Sequence, residues 1–167
     1  MERRLIVLVG LCCLLSSGSV RAQSRDGFWI SAGIGVGSFN GDGLEPVTGL
    51  AGYFGGGVHI IEQLSLGVEG SIWKRKATTH SLGNAVVYFH RRTAGGPFLK
   101  GLFGWGHRNT ENSLGKSSES GKALGLGLGY DFSMGDSFSL RAYLNASLAD
   151  FTGISTLREL GVGVSWH

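Results

Sequence analysis

The chain of 167 residues contains little cysteine, proline or charge, and each shortage excludes a class of protein. Its two cysteines, Cys12 and Cys13, lie near the N-terminus, so no disulfide framework spans the rest of the chain. Only two prolines accompany 30 glycines, and the glycines follow no Gly-X-Y period, which excludes collagen. Hydrophobic residues make up 42% of the chain, and this content excludes a disordered linker.

Outside the N-terminal segment, neither sign of charge is in clear excess. Of 15 basic and 12 acidic residues, Arg3, Arg4, Arg21 and Glu2 lie in residues 1–22, so the remainder is nearly neutral. A nucleic-acid-binding domain would need Lys and Arg clustered on one folded face, and we predict no nucleic-acid partner. No spacing of His, Cys and Asp indicates a metal site, and no cofactor motif is present.

The N-terminus has the parts of an export signal. A basic start precedes an apolar run over residues 5–15, and Val20-Arg21-Ala22 supplies the small residues that a signal peptidase reads. The run is shorter than the roughly 20 residues of a membrane-spanning helix. The sequence therefore predicts a cleaved signal peptide over residues 1–22 and one exported domain over residues 23–167; an uncleaved anchor is the alternative.

The exported domain alternates apolar residues with small or polar ones at a period of two. Between residues 138 and 148, apolar side chains such as Phe138 and Leu140 hold the even positions, whereas Ser139 and Arg141 hold odd ones. Such alternation is typical of a β-strand with two different faces. It predicts eight strands, over residues 28–39, 50–60, 64–73, 85–93, 98–108, 123–132, 138–148 and 159–166. Strand 85–93 is apolar on both sides, so its facing stays open.

Two barrel types fit this pattern: a soluble β-barrel that binds a small apolar ligand, and a transmembrane barrel. Seven of the eight runs have 9 to 12 residues, which matches the roughly 9–11 that cross a bilayer, whereas globular strands have about 5–6. The glycine-rich face fits a narrow lumen. Connections near Glu62, Gly95 and Gly135 are predicted to be short periplasmic turns. Four longer external loops are predicted over residues 41–49, 79–84, 110–121 and 150–156.

Aromatic residues are predicted to form two girdles at the membrane interfaces, where indole and phenol rings prefer to lie. The periplasmic girdle contains Phe28, Trp29, Tyr130, Phe132, Phe138 and Trp166. The outer girdle contains Phe39, Tyr53, Trp73, Phe103 and Trp105. Both sets favour the transmembrane barrel.

The signal peptide, the eight strands and the terminal pattern Leu160-x-Val162-x-Val164-x-Trp166 resemble small bacterial outer-membrane β-barrels of the OmpA-transmembrane-domain and OmpX type. The resemblance covers residues 27–167 and implies an all-β, eight-stranded, antiparallel up-and-down transmembrane β-barrel. It also implies that Leu160, Val162, Val164 and Trp166 form the signal read by the barrel-assembly machinery. Here His167 follows the terminal aromatic residue.

Two groups of charged residues are candidates for functional sites. On the predicted lumen side, where unpaired charges would be costly, an ion-pair network that plugs the barrel is expected from Glu69, Lys100, Asp131, Arg141 and Glu159. Near the outer rim, contacts with lipopolysaccharide phosphates are expected from Lys74, Arg75, Lys76, Arg108, Lys122 and Arg158. The alternative for the second group is a solvated rim that marks where the bilayer ends.

The predicted function is that of a monomeric integral outer-membrane protein with a structural or surface-interaction role, exerted chiefly through residues 110–121. A lipid-modifying enzyme would pair His107 with Ser113 or Glu111, but such a pair is a weak catalytic signal and we predict no enzyme activity. The sequence also leaves open a narrow channel and the soluble ligand carrier.

Overall fold

The computed structural model describes residues 27–41, 45–91, 95–112, 115–151 and 153–167. The predicted signal peptide over residues 1–22 lies outside these ranges. The eight strands are β1 (Phe28–Asn40), β2 (Val47–Ile61), β3 (Leu64–Arg75), β4 (Thr78–His90), β5 (Gly96–Asn112), β6 (Gly115–Ser133), β7 (Phe138–Asp150) and β8 (Ile154–Trp166).

Each strand pairs antiparallel with its neighbours in sequence, and β8 pairs with β1 to close the barrel. The predicted eight-stranded antiparallel up-and-down barrel is therefore confirmed. Within the described ranges, no helix has the length and apolar character that a bilayer crossing requires.

The side-chain alternation separates an apolar exterior from a mixed interior. Thirty-one large hydrophobic side chains of the described residues are exposed on the outside of the barrel and at its ends. Soluble monomers rarely expose continuous apolar surfaces of this extent. The interior instead contains buried charged residues, serines and aromatic rings. This is the reverse of a soluble barrel with a polar exterior and an apolar lumen.

The facing of β4, left open by the sequence, is now defined. Val86 and Tyr88 are buried inside the barrel, whereas Val87 and Phe89 are exposed. The strand also begins at Thr78, seven residues before the predicted start at residue 85. Its first half pairs with β3 from Arg75↔Thr78 onward, and this backbone pairing does not require apolar side chains.

The prediction of four longer external loops is wrong. Residues 79–84 belong to β4, and most of residues 110–121 belong to β5 and β6, which stay paired up to Asn112↔Gly115. The predicted loops 41–49 and 150–156 shrink to the residues between Asn40 and Val47 and between Asp150 and Ile154. Polar residues and glycine predominate in these segments, so the alternation of apolar with polar residues is lost there although the strands continue.

Part of the girdle prediction is wrong as well. Trp29, Phe39, Tyr53 and Trp73 are buried inside the barrel, because their odd-numbered positions in β1, β2 and β3 point inward. Phe28, Phe132, Phe138 and Trp166 are exposed near one end, and Tyr130 is half-buried beside Phe132. Phe103 and Trp105 are exposed on either side of the middle of β5, so neither lies at the outer end. The four inward rings belong to two interior clusters, one around Tyr53 and Tyr88 and one around Trp73 and Leu82.

Candidate functional site

The first candidate site is a set of charged and aromatic side chains in the lumen, the lumen cluster, made of Glu69, Tyr88, Lys100, Asp131 and Arg141. Lys100 Nζ donates hydrogen bonds to Glu69 Oε1 and Oε2 at 2.7 and 2.8 Å, and Tyr88 OH donates to Glu69 Oε2 at 2.9 Å. Lys100 is 3% exposed and Glu69 is 2% exposed. Both charges are thus removed from water and matched to one another.

The second ion pair of the lumen cluster joins direct cross-strand partners on β6 and β7. Arg141 Nε and Nη2 donate to Asp131 Oδ1 and Oδ2 at 2.7 and 3.0 Å, which is the bidentate geometry that suits guanidinium and carboxylate groups. The guanidinium carbon lies 4.4 Å from the ring centre of Phe98 and 4.9 Å from that of Tyr88. His90 Nδ1 lies 3.8 Å from Asp131 Oδ2.

Glu159, the fifth predicted lumen charge, is buried but contacts an amide rather than a cation. Its Oε2 accepts a hydrogen bond of 3.1 Å from Asn145 Nδ2, its cross-strand partner on β7. The structure therefore brings four of the five predicted charges into two ion pairs. It adds Tyr88, which the sequence could not orient because strand 85–93 is apolar on both faces.

The six predicted rim cations divide into two groups that face different ways. Lys74, Lys122 and Arg158, here called the outer belt, are exposed on the outside of β3, β6 and β8. Each is two residues from an exposed apolar side chain on the same strand, namely Ile72, Leu124 and Leu160. On β3 and β6 the cation lies just beyond the last exposed large apolar side chain of the strand, whereas on β8 the exposed Ile154 lies beyond Arg158.

The other three cations surround a cavity of about 670 Å³ at the same end of the barrel, here called the mouth cavity. Arg75, Lys76 and Arg108 line it, together with Phe39, Val47, Trp73, Ala77, Thr78, His80, Thr110, Ser117 and Glu119. Arg108 forms an ion pair with Glu119 on β6. The cavity therefore has aromatic, hydroxyl and cationic sides.

A lipid-modifying enzyme would pair His107 with Ser113 or Glu111, but Ser113 and the side chain of Glu111 lie outside the described residues. His107 instead contacts two serines of β6: its Nδ1 lies 2.8 Å from Ser120 Oγ and its Nε2 lies 3.1 Å from Ser118 Oγ. A nucleophile–base pair is usually oriented by a third group on the second ring nitrogen, and here a serine occupies that position. Among the described residues, no group of three or more His, Cys, Asp or Glu could hold a metal ion.

The predicted assembly signal lies on the outside of the last strand. Leu160, Val162, Val164 and Trp166 are all exposed on β8, which pairs with both β7 and β1. The backbone nitrogen of His167 donates to Ser137 O at 3.0 Å, so pairing extends one residue beyond the aromatic residue.

Comparison with known proteins gives a family match and several structural likenesses. The family model described as outer membrane protein beta-barrel domain matches residues 10–167. Neisserial surface protein A has a TM-score of 0.73 at 17% identity, covering 83% of this chain and 96% of that one. Ail, the attachment invasion locus protein of Yersinia pestis, has a TM-score of 0.58 at 20% identity, covering 84% and 98%. The N-terminal β-barrel domain of Pseudomonas aeruginosa OprF has a TM-score of 0.59 at 14% identity, covering 84% and 97%. No curated protein matches the chain. At these identities the structural likenesses show the fold alone.

Proposed function

The chain belongs to the outer-membrane β-barrel family and is an outer-membrane protein, and from this premise we propose that it has a structural or surface-interaction role rather than a catalytic one. In this role the barrel is a monomer with a filled lumen, and it contacts lipopolysaccharide through the outer belt. The barrel-assembly machinery is its partner during biogenesis, with Leu160, Val162, Val164 and Trp166 as the assembly signal.

The observation that carries the proposal is the occupation of the lumen by paired side chains. An eight-stranded barrel has an interior just wide enough for side chains to fill. The Lys100–Glu69 and Arg141–Asp131 pairs both project into it, and Lys100 Nζ lies 4.9 Å from the ring centre of Tyr53 on β2. Ions would have to displace these pairs to pass.

Planar-bilayer recording tests the filled lumen. The folded protein, inserted from detergent, should give no discrete conductance steps above the detergent-only baseline, because the paired charges leave no continuous aqueous path. A heat-dependent shift in apparent mass on an SDS gel serves as the control that the inserted protein is a closed barrel. Reproducible unitary steps from such a sample would contradict the proposal and favour the narrow channel.

The outer belt supports the lipopolysaccharide contact by its position. Lys74 and Lys122 lie where the exposed apolar side chains of their strands end, which is the height expected for lipid phosphates, and Arg158 lies toward the same end of the barrel. Arg and Lys both bind phosphate through charge-assisted hydrogen bonds.

Changing all three outer-belt cations to glutamine should lower the lipopolysaccharide that co-purifies with the barrel by about tenfold, since each exposed charge contact is worth up to ~1 kcal/mol. Lipopolysaccharide bound per barrel, measured after detergent extraction, is the readout. Arg91→Gln removes an exposed cation at the opposite end and should leave the ratio unchanged. An unchanged ratio in the triple variant would mean that the belt is only a solvated rim.

A further inference from the structure

The mouth cavity carries features that the filled lumen and the outer belt do not use. Its floor is aromatic: the ring centres of Phe39 and His80 are 4.0 Å apart, and those of Trp73 and His80 are 5.2 Å apart. Trp73 Nε1 donates a hydrogen bond of 2.8 Å to Gly37 O, which fixes the indole. The cavity thus has a rigid base rather than a loose set of loop residues.

One polar atom of this floor is unsatisfied. His80 is 2% exposed and lines the cavity, and its Nε2 has no hydrogen-bond partner among the described residues. Buried polar atoms in proteins nearly always have a partner. Because His80 lines the mouth cavity, a water molecule or a ligand bound there can supply the hydrogen bond that this nitrogen lacks.

The walls of the cavity carry an excess of positive charge. Among the described residues that line the cavity, Glu119 is the only acidic one, and it is already paired with Arg108. Arg75 and Lys76 add two further cations, both exposed at the opening. This balance favours an anionic ligand.

The aromatic floor and the hydroxyl groups of the mouth cavity limit the chemical class of ligand that it could bind. Trp73 is 1% exposed, so it offers no open ring face on which a nucleobase could stack. Thr78, Thr110 and Ser117 instead supply hydroxyls that match those of a sugar.

We propose that the mouth cavity binds a phosphate- or sulfate-bearing saccharide. The anionic group is bound by Arg75, Lys76 and Arg108. A sugar hydroxyl forms a hydrogen bond with His80 Nε2. This inference deepens the proposed surface-interaction role but depends on residues other than the outer belt. The ligand can be the phosphorylated sugar of lipopolysaccharide or a free sugar phosphate, since both share this chemistry.

Calorimetry on the folded barrel in detergent micelles tests the proposal, with trehalose 6-phosphate as the probe and trehalose as its neutral match. The phosphorylated sugar should bind saturably and at least about tenfold more tightly than trehalose, because the phosphate adds charge-assisted contacts. Added salt should weaken the binding, since the cations are near the surface. In NMR spectra of the imidazole nitrogens, the His80 signals should shift on saturation.

Matched variants locate the site. The double variant Arg75→Gln/Lys76→Gln should bind trehalose 6-phosphate about tenfold more weakly, as expected when exposed charge contacts are lost. Lys116→Gln removes an exposed cation of the same hairpin end that does not line the cavity, and it should bind like the unmodified protein. The outer-belt triple variant should also keep its affinity for the probe, which separates this proposal from the lipopolysaccharide belt.

Competition identifies the source of the ligand. Displacement of the probe by solubilised lipopolysaccharide would support a membrane-attached sugar phosphate, and its failure to displace a bound probe would support a soluble one. Equal binding of trehalose, absence of saturable binding, or an equal loss of affinity in Lys116→Gln would overturn the inference.

Discussion

Replacement of Lys100 by methionine should lower the free energy of unfolding of the barrel by about 3–5 kcal/mol, the usual cost of leaving one partner of a buried ion pair uncompensated. Glu69 would keep the hydrogen bond from Tyr88 OH but lose both bonds from Lys100 Nζ. With Glu69 only 2% exposed, water cannot replace them. Denaturant unfolding of the protein in lipid vesicles, followed by tryptophan fluorescence, measures the change.

The double variant Glu69→Gln/Lys100→Met is the informative companion. It removes both charges, so it should recover most of the lost stability, because a buried pair contributes little over neutral residues of similar size. Lys116→Met, at an exposed position of β6, should change stability by less than about 0.5 kcal/mol. A single variant as stable as the unmodified protein, or a double variant less stable than the single one, would contradict the pairing argument.

The architecture could be predicted from the sequence because each strand separates two environments. Alternation along β7 places Arg141 and Tyr143 inside and Leu140 and Leu144 outside, as the structure has them. The prediction failed where that contrast disappears. Apart from Leu82, the first half of β4 is polar or glycine on both faces, and so is the extended hairpin of β5 and β6. Only backbone pairing therefore reveals these segments as strands.

For the candidate sites, the sequence predicts which way a side chain faces on its own strand, but not which side chains of other strands it contacts. Parity assigns Lys74 to the outside and Arg75 to the opening, although the sequence offers them as one basic cluster. The pairing of Lys100 with Glu69 could not be predicted in this way, because Lys100 lies on β5 and Glu69 lies on β3, with β4 between them. That contact depends on the curvature and stagger of the closed barrel, and no single strand encodes either.

The prediction of the aromatic girdles was partly wrong for a related reason. Position in the sequence indicates the height of a ring along its strand, but the girdle prediction left out which face the ring occupies. Trp29 and Tyr53 therefore line the lumen, although their heights suggested an interface. Their inward position leaves the lumen cluster surrounded by rings that the girdle prediction assigns to lipid.

Closure of the barrel between β1 and β8 should fail when Gly35 is replaced by alanine. Gly35 faces Gly161 across this pair of strands, beside the pair Gly33↔Gly163. A Cβ atom at Gly35 would lie 2.2 Å from Leu160 O and 2.7 Å from the Cα of Gly161, both of them backbone atoms. The strands would have to separate to admit it, so we expect a loss of at least ~3 kcal/mol, the upper range of overpacking costs.

Gly101→Ala is the matched control for this prediction, because a Cβ atom there would have no heavy atom within 4 Å. The same substitution at that position should be neutral or slightly stabilising, since alanine loses less backbone freedom on folding than glycine. After refolding in micelles, the fraction of each variant that shows a heat-dependent shift on an SDS gel measures closure. Gly35→Ala should be mostly unshifted and Gly101→Ala fully shifted. Equal fractions would mean that the seam accommodates a methyl group and that its paired glycines serve another purpose.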